Sequence, residues 1–183
     1  MMTTKTKISL TNKTILVTGG AGFIGSNLIQ RLLRTTTGTT VINIDSMTDY
    51  NPIKLKVWRL EKNEEASQES GNKYVFIKGD ISDKATIDNL FTTYHPNIVV
   101  NLAAQAGVRY SIDHPDVYIA SNLIGFYNIL EACRHEEKLE HLVVCKINNY
   151  TDISHYVILN TPKFTEVFRD GKINTISAFR RRS

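Results

Sequence analysis

Short apolar runs alternate with amphipathic stretches along most of this chain. Lys13–Thr18 (KTILVT) is a run without polar alternation, which predicts a strand buried on both faces. From Gly22 to Arg34 the apolar residues fall at helical spacing, with Phe23, Ile24, Leu28, Leu32 and Leu33 as the expected inward face. Thr39–Asp45 (TTVINID) reads as a second strand. Pro52 to about Glu65 reads as a helix opened by a proline in its first turn. The polar stretch EEASQESGN is expected to be a surface loop, and KYVFIKGD a third strand. Asp83–Tyr94 is a helix with Asp83 as its N-cap, and NIVVNLA is a fourth strand after Pro96. A long loop, QAGVRYSIDH, precedes a helix over Pro115–Glu136, and His141–Cys145 is the fifth strand.

Strands that alternate with helices in this way imply an α/β fold, a parallel sheet with helices on both faces. Residues 1–145 form the expected domain, and 146–183 a basic tail of different character. In such sheets ligands bind beyond the carboxyl ends of the strands, where the long loop after strand four would lie.

The run VTGGAGFIGSNL places Gly19, Gly22 and Gly25 after a strand and at the opening of a helix. Gly19 permits the sharp turn, Gly22 lets the backbone approach a pyrophosphate, and Gly25 lets helix and sheet pack closely. The helix N-terminus then offers free N–H groups to phosphate. A plain tight turn is the alternative. Asp45, 20 residues after Gly25 at the end of strand two, decides for dinucleotide binding, because its carboxylate is placed to accept both adenosine ribose hydroxyls. A solvated strand-end acid is the competing reading of Asp45. Its charge opposes the 2′-phosphate of NADP, and Ser46 and Met47 supply no arginine to offset it, so NAD is the expected cofactor. The fold expected is a Rossmann-type doubly wound sheet.

Charge narrows the partners. The net charge is +4, yet Lys146–Ser183 holds seven Lys/Arg and three Asp/Glu, which accounts for all of it. The main domain is neutral and shows no footprint for nucleic acid. No run approaches the apolar length of a membrane span, and the polar N-terminus has no signal-peptide core. The two cysteines, Cys133 and Cys145, fit neither a metal site nor a disulfide framework, which points to a cytoplasmic protein without a metal.

TGGAGFIGSNL, DSMTDYNPIKLKVWRL, the GD of KGDISD and NLAAQAGVRYSIDHPDVYIASNLIGFYNILEACR together resemble the extended short-chain dehydrogenase/reductase family. Within it the likeness is to NAD-dependent nucleotide-sugar epimerases, specifically UDP-glucuronate 4-epimerases, and it covers about Lys13 to Val144. The resemblance implies that Gly19, Gly22, Phe23, Ile24 and Gly25 line the pyrophosphate, and that Asp45 holds the adenosine ribose. It places Asp80 and Ile81 beside the adenine, and Ala103, Ala104 and Gln105 along the nicotinamide half with Asn122 nearby. Arg109, Tyr110 and Ser111 would border a UDP-glucuronate-like nucleotide sugar, and a homodimer is among the assemblies the family admits.

The family's chemistry is a transient oxidation at sugar C4, with a tyrosine base and a lysine four residues later on one helix. A serine/threonine-rich turn after strand five assists them. Here KINNYTDISHY follows Cys145 instead. The two Tyr-x-x-x-Lys matches, Tyr50/Lys54 and Tyr74/Lys78, fall in a loop and on an expected strand, so no catalytic residue is assigned. Read one base out of frame, Val144–Asn149 can encode Tyr-Ala-(Lys or Arg)-Ser-Thr-Thr, which resembles the missing turn. A frameshifted or truncated gene and a divergent real end both stay open. The expectation is an NAD-binding domain of epimerase origin, catalytically incomplete and without its C-terminal substrate domain. Its alternatives are a non-catalytic NAD-binding module and a non-functional truncated product.

Overall fold

The computed structural model describes residues 9–144. Expectations for the basic tail at 146–183 lie outside them. The order is β1 (Thr14–Thr18), α1 (Phe23–Thr35), β2 (Thr40–Asp45), α2 (Ile53–Ser70), β3 (Lys73–Lys78), α3 (Lys84–Tyr94) and β4 (Ile98–Asn101). Then come α4 (Val108–Asp113), α5 (Pro115–Tyr118), a π-helical stretch (Ile119–Gly125), α6 (Phe126–His135) and β5 (His141–Val144).

All strand pairings are parallel, in the order β3-β2-β1-β4-β5. Period-two alternation splits each strand between two cores. Ile15, Val17, Val41, Ile98 and Val100 pack with Ile29 and Leu33 of α1 on one face. Leu16, Ile42, Ile44 and Val99 pack with Ile87, Leu90 and Ile129 of α3 and α6 on the other. Burial on both faces is why these strands read as continuous apolar runs. The chain leaves β1 toward β2 on one side and reaches β4 on the other, so a topological switch point opens between β1 and β4.

Three local expectations are corrected. Phe23 and Ile24 do not face the core; they are 72% and 56% exposed, and α1 turns Ser26, Ile29, Leu32 and Leu33 inward. EEASQESGN is not a loop. α2 continues to Ser70 and stops at Gly71, whose left-handed backbone (φ 72°) caps the helix by donating its N–H to Ser67 O. Asn72 then locks that end, accepting the Thr39 N–H and donating to the Leu33 and Thr36 carbonyls. Within QAGVRYSIDH, residues from Val108 to Asp113 form the short helix α4. The N-cap expected at Asp83 is present: its carboxylate accepts the Ala85 N–H and the Thr86 hydroxyl, and the latter chiefly holds its pKa below the usual value.

Candidate functional site

A cleft of about 360 Å³ opens at the carboxyl ends of the strands, at the switch point. Gly19 and Gly22 line its floor. Gly19 takes φ 72°, and a Cβ there would stand 2.9 Å from the Ala103 nitrogen, so the close approach of β1's end to β4's end requires glycine. Thr18 fixes the same junction: its hydroxyl donates to Asn101 Oδ1 at 2.6 Å and accepts the N–H groups of Leu102 and Ala103. Gly25 lies behind the turn, where a Cβ would meet Gly19 O at 2.4 Å. No acidic side chain occupies the first turn of α1, whose positive dipole end suits an anion. Phe23 and Ile24 project from this helix start into solvent, and Arg59 stacks over the Phe23 ring at 5.9 Å.

Asp45 ends β2 at the adjoining wall, 7% exposed. Its Oδ2 accepts the Ala21 N–H at 3.0 Å, which ties the second strand to the glycine turn. Its Oδ1 accepts the Met47 N–H at 2.9 Å and thereby holds Met47 in the left-handed region, φ 55°. Lys56 of α2 reaches the same oxygen at 3.5 Å and is itself buried. Asp80 and Ile81 line the next stretch of wall, and the Asp80 carboxylate accepts the Ser82 N–H and hydroxyl.

The far wall is the segment Leu102–Ala106, which contains the expected Ala103, Ala104 and Gln105. Asn122 stands behind it, joined to the Gln105 backbone at both N–H and carbonyl. Tyr118, one turn earlier, donates its phenol to the Ala106 carbonyl at 2.9 Å and also contacts Gly107 O. Loss of solvent, then the Tyr50 phenol, push the Tyr118 pKa up against a lowering hydrogen bond with Gln105. Further along the helix Asn128 donates to the Ile81 and Ser82 carbonyls. One continuous helical run, interrupted by a π-helical stretch of a kind frequent at functional sites, thus holds two walls of the cleft.

Arg109, Tyr110 and Ser111 sit on α4, outside the cleft wall. Tyr110 packs edge-on against Tyr50 at 5.3 Å, and so joins the loop after β2 to the loop after β4. Tyr74 and Lys78 lie on β3, and Tyr50 lies before α2, so neither Tyr-x-x-x-Lys match has both members on one helix.

Thr18, Lys56, Tyr118 and Asn128 were not singled out from the sequence. Lys56 had a signal available: with Asn63 and Ala66 it makes a helically spaced inward stripe, while Leu55, Val57 and Trp58 are exposed. A larger groove, about 480 Å³, lies between α3 and α6, but its charged groups are paired with one another, Lys84 with Asp88 and His95 with Glu136. The cleft at the strand ends is lined by the glycine turn and Asp45 instead.

Residues 16–148 match the family described as GDP-mannose 4,6 dehydratase. Protein CapI of Staphylococcus aureus is 46% identical over 121 residues, covering 66% of this chain and 34% of that protein. UDP-glucuronate 4-epimerase 3 of Arabidopsis thaliana is 40% identical over 120 residues, covering 66% of this chain and 26% of that one. Among solved structures, the UDP-glucose 4-epimerase of Thermus thermophilus in complex with NAD superposes with a TM-score of 0.55. It is 33% identical and covers 71% of this chain and 36% of its own. The chain therefore spans about a third or less of the length of these relatives. With residues 16–148 matched, well over half of its length, the chain belongs to the family described as GDP-mannose 4,6 dehydratase.

Proposed function

We propose that this domain binds NAD and is the cofactor-binding part of a nucleotide-sugar 4-epimerase of the UDP-glucuronate type. The observation that carries the reading is Asp45, buried at the end of β2 and fastened to the glycine turn through Ala21. The cradle fits the cofactor's shape: the turn is closed where side chains are absent, and the helix dipole faces the pyrophosphate position. Bound NAD would supply a hydride acceptor for oxidation at sugar C4. The chain's own residues supply the binding. Asp45 accepts the ribose hydroxyls, the α1 N-terminus neutralises the diphosphate, and Gln105, held by Asn122, borders the nicotinamide half. Arg109, Tyr110 and Ser111 border the sugar nucleotide.

Proton removal from the sugar hydroxyl needs a base with a matched pKa. Tyr118 is committed as a donor to backbone carbonyls, and the sequence offers no helical Tyr–Lys pair. The proposal is accordingly a domain that binds cofactor but does not turn over UDP-glucuronate alone. The same proposal includes a homodimer, supported by the exposed stripe Ile119, Leu123 and Tyr127 on the helix behind the cleft. Calorimetric titration with NAD tests the reading: saturable binding that Asp45→Ala weakens at least tenfold supports it, and no binding sinks it.

A further inference from the structure

Lys56 is an unexpected residue to bury. The start of α2 leaves Ile53, Leu55, Val57 and Trp58 partly in solvent and turns Lys56 inward at 6% exposure. A lysine is rarely buried unless it is paired. Its partner is Asp45, 3.5 Å away, and both residues line the cleft. An ammonium carries three donors, and Asp45 engages one at the long end of the range.

One turn on, Arg59 Nη1 lies 3.3 Å from the Ala21 carbonyl, and the Ala21 N–H is the group that holds Asp45 Oδ2. Lys56 is therefore the cation beside this carboxylate where the adenosine ribose would sit, while Arg59 is engaged on the glycine turn through the Ala21 carbonyl. Asp80 also lines the cleft, but its Oδ1 is engaged by Ser82. The sequence places no arginine directly after Asp45; the fold brings a lysine from 11 residues away.

We infer that Lys56 sets how strictly this cleft separates NAD from NADP. The inference rests on the proposed dinucleotide site. An unpaired Asp45 would repel the 2′-phosphate of NADP, and Lys56 cancels much of that repulsion while offering the phosphate a donor. Asp45 still prefers a free ribose diol, because it accepts from both hydroxyls, so NAD remains the better ligand by a narrowed margin. Without the carboxylate, Lys56 faces the 2′ position uncompensated and the preference inverts. In a partly buried site such a pair is screened less than a surface pair, so the effect persists at physiological salt.

The experiment titrates the full chain with NAD and with NADP by calorimetry, in the unmodified form and as Lys56→Met, Lys56→Arg, Asp45→Asn and the Lys56→Met/Asp45→Asn pair. The quantity read is the ratio of the two dissociation constants, which a general loss of fold does not move. Lys56→Met should raise the NADP/NAD ratio about tenfold, and Lys56→Arg should hold it near the unmodified value. Asp45→Asn should bring the ratio below one, and the double variant should return it to one or above. A ratio that ignores Lys56→Met in both backgrounds overturns the inference while leaving the dinucleotide site standing. Failure of both cofactors to bind the unmodified chain overturns site and inference together. If Lys56→Met does not fold, the salt dependence of Asp45→Asn decides: NADP affinity must fall more steeply with salt than NAD affinity, and equal slopes overturn the inference.

Discussion

Asn122 grips Gln105 by both backbone groups, its Oδ1 accepting the N–H at 2.8 Å and its Nδ2 donating to the carbonyl at 3.0 Å. The pairing fixes the amide's orientation and anchors the far wall of the cleft to the π-helical stretch. Asn122→Ala removes both bonds, each worth about 0.5–1.5 kcal/mol. NAD affinity should fall about tenfold. ADP-ribose, which lacks the nicotinamide, should bind within about twofold of its original affinity. Equal losses for the two ligands would show that Asn122 supports the fold rather than the nicotinamide side.

Gly25 and Gly71 separate two reasons for glycine. A Cβ at Gly25 meets Gly19 O at 2.4 Å and Gly20 Cα at 2.7 Å, all backbone that cannot give way. Gly25→Ala should therefore cost about 1–3 kcal/mol and impair NAD binding, since the crowded atoms form the turn itself. Gly71 has φ 72° and open space around it. Gly71→Ala should cost only about 1 kcal/mol and leave NAD affinity unchanged. Chemical denaturation together with NAD titration reads both variants.

Asn72 accepts the buried Thr39 N–H and donates to Leu33 O and Thr36 O, joining the end of α1, the start of β2 and the end of α2. Its replacement by alanine strands a buried donor and loses three bonds, at a cost of about 2–4 kcal/mol. A midpoint shift in urea of the corresponding size, with an unchanged slope, is the expected result. A shift smaller than that of an exposed control such as Ser70→Ala would mean that water replaces the amide without loss.

How legible each part was follows from where its partners come from. β1, β2 and β4 were plain in the sequence because both faces are buried, and Ile15 to Val17 or Val41 to Ile44 can hardly be anything else at that length. Gly19, Gly22 and Asp45 were legible because a strand–turn–helix unit fixes their geometry locally. The second half of α2 was hidden because its inward side carries Asn63 and Ala66, and its stability comes from packing rather than an apolar stripe. Phe23 and Ile24 misled in the opposite sense: helical spacing counted them inward, while their place at the mouth of the turn keeps them in solvent. Thr18, Lys56, Tyr118 and Asn128 escaped notice because each acts on a backbone or carboxylate group that only the folded sheet brings within reach.

Cys133 lies fully buried on α6 within the core beneath β4 and β5, and burial chiefly, with Glu136 second, pushes its thiol pKa far above the ordinary 9.0. The thiolate is the reactive form, so Cys133 should stay unmodified by iodoacetamide at pH 8 until the chain unfolds, as peptide mapping would reveal. The same shift sets a pH dependence. Above pH 9 the unfolded thiol loses its proton while the folded one keeps it, so the folded state binds more protons and stability falls as pH rises. The contribution is at most about 1.4 kcal/mol per pH unit. Below pH 9 both states hold the proton and the contribution is flat. Tyr74, whose pKa burial also raises, adds to the slope only above its ordinary 10.0. Between pH 9 and 10 the decline should therefore be shallower in Cys133→Ala than in the unmodified chain, even though the variant starts from lower stability because of the cavity it creates. Parallel declines across that window would show that the thiol reaches solvent in the native state.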